Sequence, residues 1–378
     1  MKSGLITLRL FARGLKYYVL RVSGFSSKIE ALSIEVTRRC IAKCIMCNIW
    51  KTPSHIKDLP LSEWLGLLRS PLFTALKELD ITGGEPFLRD DLSQLILGVC
   101  DLTSHNLRKL KTIAVTTNGF LTDKILITIN HTIKHLQEHN IDLVLALAMD
   151  GIGNTHDRIR RVKNGWDSLN ETIERLTEVR NSYPNLILGL KNTIVPVNVS
   201  ELDQILEYAE EHALFTITSP FIVTENRYNN VDREEDLRFT EDDRAKIMRF
   251  YESPRFKWSY HRDMLSDYLQ KGFVKKPCSA GFNYLFIRSN GDVFPCPLIN
   301  WRLGNFTESP IEELINSKKA RSFKRKITTY DACHSCTEPG LERYALPFEG
   351  FHYLALLLKL GPKRFLDLHH HMGMEKYI

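Results

Sequence analysis

From residue 31 to residue 219 the chain repeats one pattern. A short run rich in aliphatic and β-branched residues is followed by a turn and then by a stretch with helical spacing. The strand-like runs fall at 31–36, 77–82, 110–117, 142–149, 186–195 and 215–219, and helical spacing recurs at 61–69, 90–103, 121–139, 166–181 and 200–212. Strands that alternate with helices pair in parallel, because each crossover returns the chain to the same end of the sheet. The expected fold class is therefore α/β, a partial (β/α)6 TIM-like barrel. In such folds the chemistry sits at the C-terminal strand ends. Four short motifs stand there: a cysteine loop after the first strand, Gly83-Gly84-Glu85-Pro86 after the second, Asn118-Gly119 after the third and Asp150-Gly151 after the fourth. They are expected to face one pocket.

The eight cysteines divide unevenly into Cys40, Cys44 and Cys47, then Cys100, then Cys278 and Cys296, then Cys333 and Cys336. No signal peptide is read at the N-terminus, and no apolar run reaches the roughly 18–20 residues a spanning helix needs. A cytoplasmic location is expected, where clustered thiols serve metals more often than disulfides. Three thiolates on one loop leave one iron of a four-iron cluster open to an outside ligand. Zinc is the alternative, although a structural zinc site wants four ligands. The late quartet can close a tetrahedral set around either zinc or a cluster. Cys100, inside an apolar helical pattern, reads as a buried structural thiol. A formal charge of +6 and a pI near 8.8 fall short of a nucleic-acid-binding signature.

The string CIAKCIMC resembles the CxxxCxxC signature of radical S-adenosylmethionine (SAM) enzymes, and GGEP and TTNG follow it in that family's order. The likeness covers roughly residues 31–220. It implies a 4Fe–4S cluster on Cys40, Cys44 and Cys47, with SAM on the open iron. Reductive cleavage would then give a 5′-deoxyadenosyl radical that takes hydrogen from a substrate. It also implies that Met46 packs on adenine, that Gly83 and Gly84 admit the cofactor's amino group, and that Glu85 and Pro86 hold that turn. Asn118 and Asp150 sit where ribose or carboxylate contacts are usual. Ala148 departs from the serine many relatives carry, which leaves a ribose contact there unassigned.

The stretch from Cys278 to Cys336 resembles the SPASM module, or its shorter twitch form. That implies one auxiliary 4Fe–4S cluster on Cys278, Cys296, Cys333 and Cys336. The expected organisation is an N-terminal basic amphipathic helix (1–30), the barrel (31–224), a bridging segment (225–277) whose polar start, 225–240, reads as a mobile loop or bridge over the site, the auxiliary module (278–340) and an apolar tail (341–378). Expected partners are a substrate and an external electron donor such as flavodoxin or ferredoxin, without nucleic acid. The substrate is expected to be a small molecule (a sugar, cyclitol or lipid-linked compound) modified at an unactivated C–H bond. Ribosomal-peptide maturation is the alternative, disfavoured because the segment before the first strand is too short for a fused leader-binding domain. A zinc- or cluster-stabilised binding or electron-transfer protein is the reading from another class. Leu8, Phe11, Leu15, Tyr18 and Val22 recur at helical spacing among Arg9, Arg13, Lys16 and Arg21. With the apolar stretch 351–360, they offer peripheral membrane contact as a further possibility.

Overall fold

The computed structural model describes residues 3–255 and 260–371. Of the segments expected from sequence, residues 1–2, 256–259 and 372–378 lie outside the described residues. Six parallel strands form the barrel: β1 (Ala31–Thr37), β2 (Glu78–Gly83), β3 (Thr112–Thr117), β4 (Asp142–Ala148), β5 (Leu186–Ile194) and β6 (Phe215–Pro220). Helix α1 (Ser3–Ser23) precedes them. Their crossovers carry α2 (Leu61–Leu68), α3 (Leu92–Asp101), α4 (Thr122–Glu138), α5 (Asn154–Arg160), α6 (Gly165–Ser182) and α7 (Leu202–Glu211). Two helices follow β6, α8 (Glu241–Glu252) and α9 (Tyr260–Lys271).

The C-terminal strands β7 (Tyr284–Ile287), β8 (Asp292–Phe294) and β9 (Gly304–Asn305) belong to the same sheet. β7 runs parallel to β1, and a hairpin adds β8 and β9, so the order is β6-β5-β4-β3-β2-β1-β7-β8-β9. β6 and β9 are the edges, and the barrel stays open. The auxiliary segment thus continues the barrel sheet. Two helices follow, α10 (Ile311–Asn316) and α11 (Lys318–Arg325), divided at Ser317, whose hydroxyl caps the second by accepting from Ala320 N. Four more helices follow among the described residues: α12 (Asp331–His334), α13 (Pro339–Glu349), α14 (Phe351–Leu360) and α15 (Pro362–His371).

Side chains alternate across each strand. One set, including Leu32, Ile34, Leu79, Ile81, Ile113 and Leu145, packs against the crossover helices in the main core. The other set points into the barrel and is mixed: Ser33, Asp80, Thr82, Thr116, Lys191 and Thr193 line cavities there beside the apolar Val144, Phe215 and Ile217. The interior is therefore a chamber, not a packed core. Pairing register sets Ser33 opposite Asp80, and Lys191 between Ala148 and Ile217.

Candidate functional site

The loop after β1 folds over the ends of β2 and β3. This approach demands glycine at both turn positions. A Cβ on Gly83, whose φ is +142°, would lie 2.2 Å from Thr37 O, and one on Gly84 would lie 2.1 Å from Arg39 O. The two glycines admit the cysteine loop's backbone, a reason beyond any cofactor contact. Gly84 N and Glu85 N donate back to Thr37 O and Arg39 O, each at 2.8 Å.

Cys40, Cys44, Met46, Cys47, Gly83, Gly84 and Asn118 line one cleft of about 1130 Å³, including its mouth. Burial pushes the Cys40 and Cys47 thiols up to about 12, with Cys44 adding to both, and raises Cys44 too. Ligation is what would make such thiols thiolates. The Asn118 side-chain Oδ1 accepts from Phe120 N at 3.0 Å, while its buried Nδ2 has no hydrogen-bond partner among the described residues.

Glu85, Pro86 and Asp150, read from sequence with the cofactor contacts, lie outside that lining and support it. Glu85 is fully buried. Its carboxylate accepts from Phe87 N, Thr117 Oγ1 and Asn118 N, tying the end of β2 to the end of β3. Pro86 opens the short turn that Glu85 caps. Asp150 accepts from Thr193 N at 2.8 Å and pairs with Arg160 at 2.6 Å. Arg160 in turn donates to Cys44 Sγ at 3.6 Å and lines the cleft. Sequence reasoning missed Arg160, a buried cation between the cysteines and a buried carboxylate. Its Nε has no hydrogen-bond partner among the described residues.

The start of the bridging segment, read as a mobile loop or bridge, is hydrogen-bonded to the cysteine loop beside the cleft. Asn48 N donates to Tyr228 O, Asn48 Nδ2 to Asn229 O and Asp232 Oδ1, and Asn230 Nδ2 to Met46 O, all at 2.7–2.9 Å. Its polar side chains tie it to the cysteine loop, and Arg227 and Tyr228 become part of the cleft wall.

Below the cleft lies an inner chamber of about 710 Å³, lined by Ser33, Asp80, Tyr284 and Arg343 among others. Thr116, Lys191, Arg227, Glu338 and Pro339 line both spaces. Burial alone would raise Glu338, but Lys191, Arg227 and the Gly340 N–H take it below the usual carboxylate range. The Ser33 hydroxyl donates to Asp80 at 2.8 Å, and Tyr284 donates to Ser33 at 2.9 Å.

Cys278, Cys296, Cys333 and Cys336 line a second, separate cavity of about 410 Å³. Burial pushes Cys278 up to about 12 and raises Cys296 and Cys333. One zinc ion draws its sulfur ligands to within about 4 Å of each other. Among the described residues the only three donors all within 4.8 Å are Cys100, His135 and His139, so neither cysteine set has that spacing. Both suit a multi-iron cluster better than a single ion. Cys100 itself is buried in α3, its Sγ 3.9 Å from His135 O, as a structural thiol would be.

An open parallel barrel with three cysteines at its strand ends and four more in an attached module defines a two-cluster iron–sulfur enzyme class. Residues 34–209 match the Radical SAM superfamily and residues 278–337 match SPASM, an iron–sulfur cluster-binding domain. The chain belongs to the radical SAM superfamily, and 4Fe–4S clusters and SAM are its cofactors. It is 21% identical to the sporulation killing factor maturation protein SkfB of Bacillus subtilis over 90% of this chain and 77% of that one. It is 30% identical to a GTP 3′,8-cyclase of Helicobacter pylori over 51% of this chain, spanning only 56% of that protein. Among solved structures, Streptococcus suis SuiB bound to SAM aligns with TM-score 0.58 at 15% identity, over 85% of this chain and 75% of that one. anSMEcpe with bound AdoMet aligns with TM-score 0.58 at 19% identity, over 90% of this chain and 98% of that one. These likenesses extend to the fold. Among the described residues no helix is long and apolar enough to cross a membrane.

Proposed function

We propose that the chain reductively cleaves SAM on a cluster held by Cys40, Cys44 and Cys47, and takes a hydrogen atom from a polar substrate seated in the inner chamber. The observation that carries this reading is the incomplete donor set. Three cysteines share the cleft with unpaired donors at Asn118 Nδ2 and Arg160 Nε, which fit a ligand carrying carboxylate and ribose oxygens. When bound, cluster and cofactor supply the electron and the carbon radical. Met46 and the Gly83-Gly84 turn supply an apolar wall and backbone groups for the cofactor. Arg160, fixed by Asp150, sets positive charge beside Cys44. The segment around Arg227 and Tyr228 covers the cleft and excludes water.

The chamber has apolar walls at Val144, Phe215 and Ile217, and its charged residues suit a substrate that carries a polar group. Asp80, Lys191, Arg227 and Glu338 surround it, and only a substrate with its own polar groups repays their desolvation. A small polar molecule is the first reading. A peptide side chain is the second, favoured by the likeness to SkfB along most of the chain. The auxiliary cluster, with four protein ligands, would accept the substrate electron and pass it on, while a flavodoxin or ferredoxin would reduce the first cluster.

The test is anaerobic incubation of reconstituted, reduced protein with SAM, followed by chromatography for 5′-deoxyadenosine. Wild type is expected to form it. Cys44→Ala is expected to form none while retaining about four irons. No product from wild-type protein with about eight irons would refute the reading.

A further inference from the structure

Helix α1 has two apolar faces. Ile6, Leu10 and Tyr17 are buried: Ile6 and Leu10 share a small core with Leu346, Tyr353 and Leu357 of α13 and α14, and Tyr17 packs against Phe282 and Phe348. Leu8, Phe11, Leu15, Tyr18 and Val22 are the stripe visible in the sequence, and they are 47–66% exposed. Val19, at 63%, widens it. Single exposed apolar residues are ordinary, but a row along a helix of 21 residues is not. The stripe runs on into α14. Gly14 lets Phe351 close on the helix, the Phe351 ring sits 6.0 Å from Phe11, and Leu358 is 74% exposed.

Charge tells what covers this face. Helix α1 carries four basic residues and no acidic one, and α14 and α15 together add Lys359, Lys363 and Arg364 against Asp367. That excess equals the formal net charge of the entire chain, +6. The remainder of the protein is therefore balanced, and the surplus positive charge stands on the two helices that expose the stripe and on α15, which packs against α14. Arg13 and Arg21 turn back to donate to Pro347 O and Ile327 O, while exposed Lys16, Lys363 and Arg364 leave positive charge at the surface of these helices. An apolar row on helices with such cations matches an anionic lipid surface, where side chains enter the acyl boundary and cations meet headgroups.

We infer that α1, with α14 and α15, docks this protein on anionic membranes as a peripheral, in-plane element. The docked helix would also lie against the auxiliary cysteines, because the buried Tyr17 hydroxyl donates to Cys278 O at 2.7 Å. The inference stands whichever substrate the chamber takes.

The test is co-sedimentation of cluster-loaded protein with vesicles of phosphatidylcholine plus phosphatidylglycerol, and with phosphatidylcholine alone. Wild type is expected to pellet with the anionic vesicles and to be released by salt. Leu8→Glu with Val19→Glu, both solvent-facing, is expected to lower the affinity about tenfold or more. Lys363→Glu with Arg364→Glu is expected to weaken anionic binding by a similar factor. Iron content and circular dichroism verify that the variants are folded. Wild type that stays in the supernatant, or L8E/V19E that pellets equally well, overturns the inference. So does self-association of wild type in sedimentation velocity that L8E/V19E abolishes, because the stripe would then belong to a second copy.

Discussion

Glu85 holds the cleft without lining it. Its carboxylate accepts from three donors on two neighbouring strand ends, and burial pushes it up to about 7. Glu85→Gln offers one acceptor oxygen and turns an amide N–H2 toward donors, so a loss of about 1–3 kcal/mol is expected. The pH dependence has a definite sign. The folded value lies above the ordinary 4.5, so the folded state holds this proton more tightly than the unfolded chain. Glu85's contribution is present below pH 4.5 and is lost as pH rises to about 7, a change of roughly 3 kcal/mol. Thermal melts of wild type and Glu85→Gln across that range should therefore converge as pH rises. A constant gap would show that the proton is not on Glu85. The motif residues were legible because each is a short string after an apolar run. Arg160, Lys191, Arg227 and Glu338 were not, since a lone charge on a strand or loop reads as solvated until its neighbours are known. One trace was present: Lys191 interrupts an apolar strand, on the same parity as Gly189 and Thr193.

At the scale of elements, strand and helix spacing fixed the parallel barrel, because hydrophobic period is a local property of the chain. Pairing between distant segments is not local. Nothing in Tyr284–Ile287 marks it as a partner of β1, yet its four residues are all buried and extend the barrel sheet. The stripe on α1, by contrast, is a local pattern that its regular spacing made legible, and the structure leaves it exposed. What fixes α1 is close backbone packing at the α13–α14 junction. Gly350 has φ +79°, and a Cβ there would lie 2.3 Å from Leu10 O and 2.6 Å from Gly14 N. Gly350→Ala is therefore expected to cost about 2 kcal/mol or more, from strain plus lost contact. Hydrogen exchange should rise along residues 3–23 while β1–β6 stay protected. Unchanged protection of α1 would mean that the helix is held by its side chains alone.

Across the whole molecule the two cysteine sets are linked through the chain that leaves the second one. Cys336 is followed at once by Thr337, whose hydroxyl donates to Pro220 O at the end of β6, and by Glu338, which lines both cleft and chamber. A single residue, Thr337, separates a proposed auxiliary ligand from a charged wall of the substrate space. The lower part of this segment has its own anchors, since Arg343 and Tyr344 meet Glu78 at the start of β2. Anchoring at both ends would position Glu338 without a rigid element of its own. Cys278→Ala with Cys333→Ala separates the two anchors, because it leaves the auxiliary set only two thiols and keeps Glu338, Arg343 and Tyr344 unaltered. The iron content should fall from about eight to about four. Hydrogen exchange should then rise from residue 337 toward 342 and stay low at 343–346. Cleavage of SAM should persist, because Cys40, Cys44 and Cys47 lie in a separate cavity. If exchange at 337–342 stays as in wild type, the barrel alone positions Glu338, and the auxiliary cluster's part is confined to electron transfer.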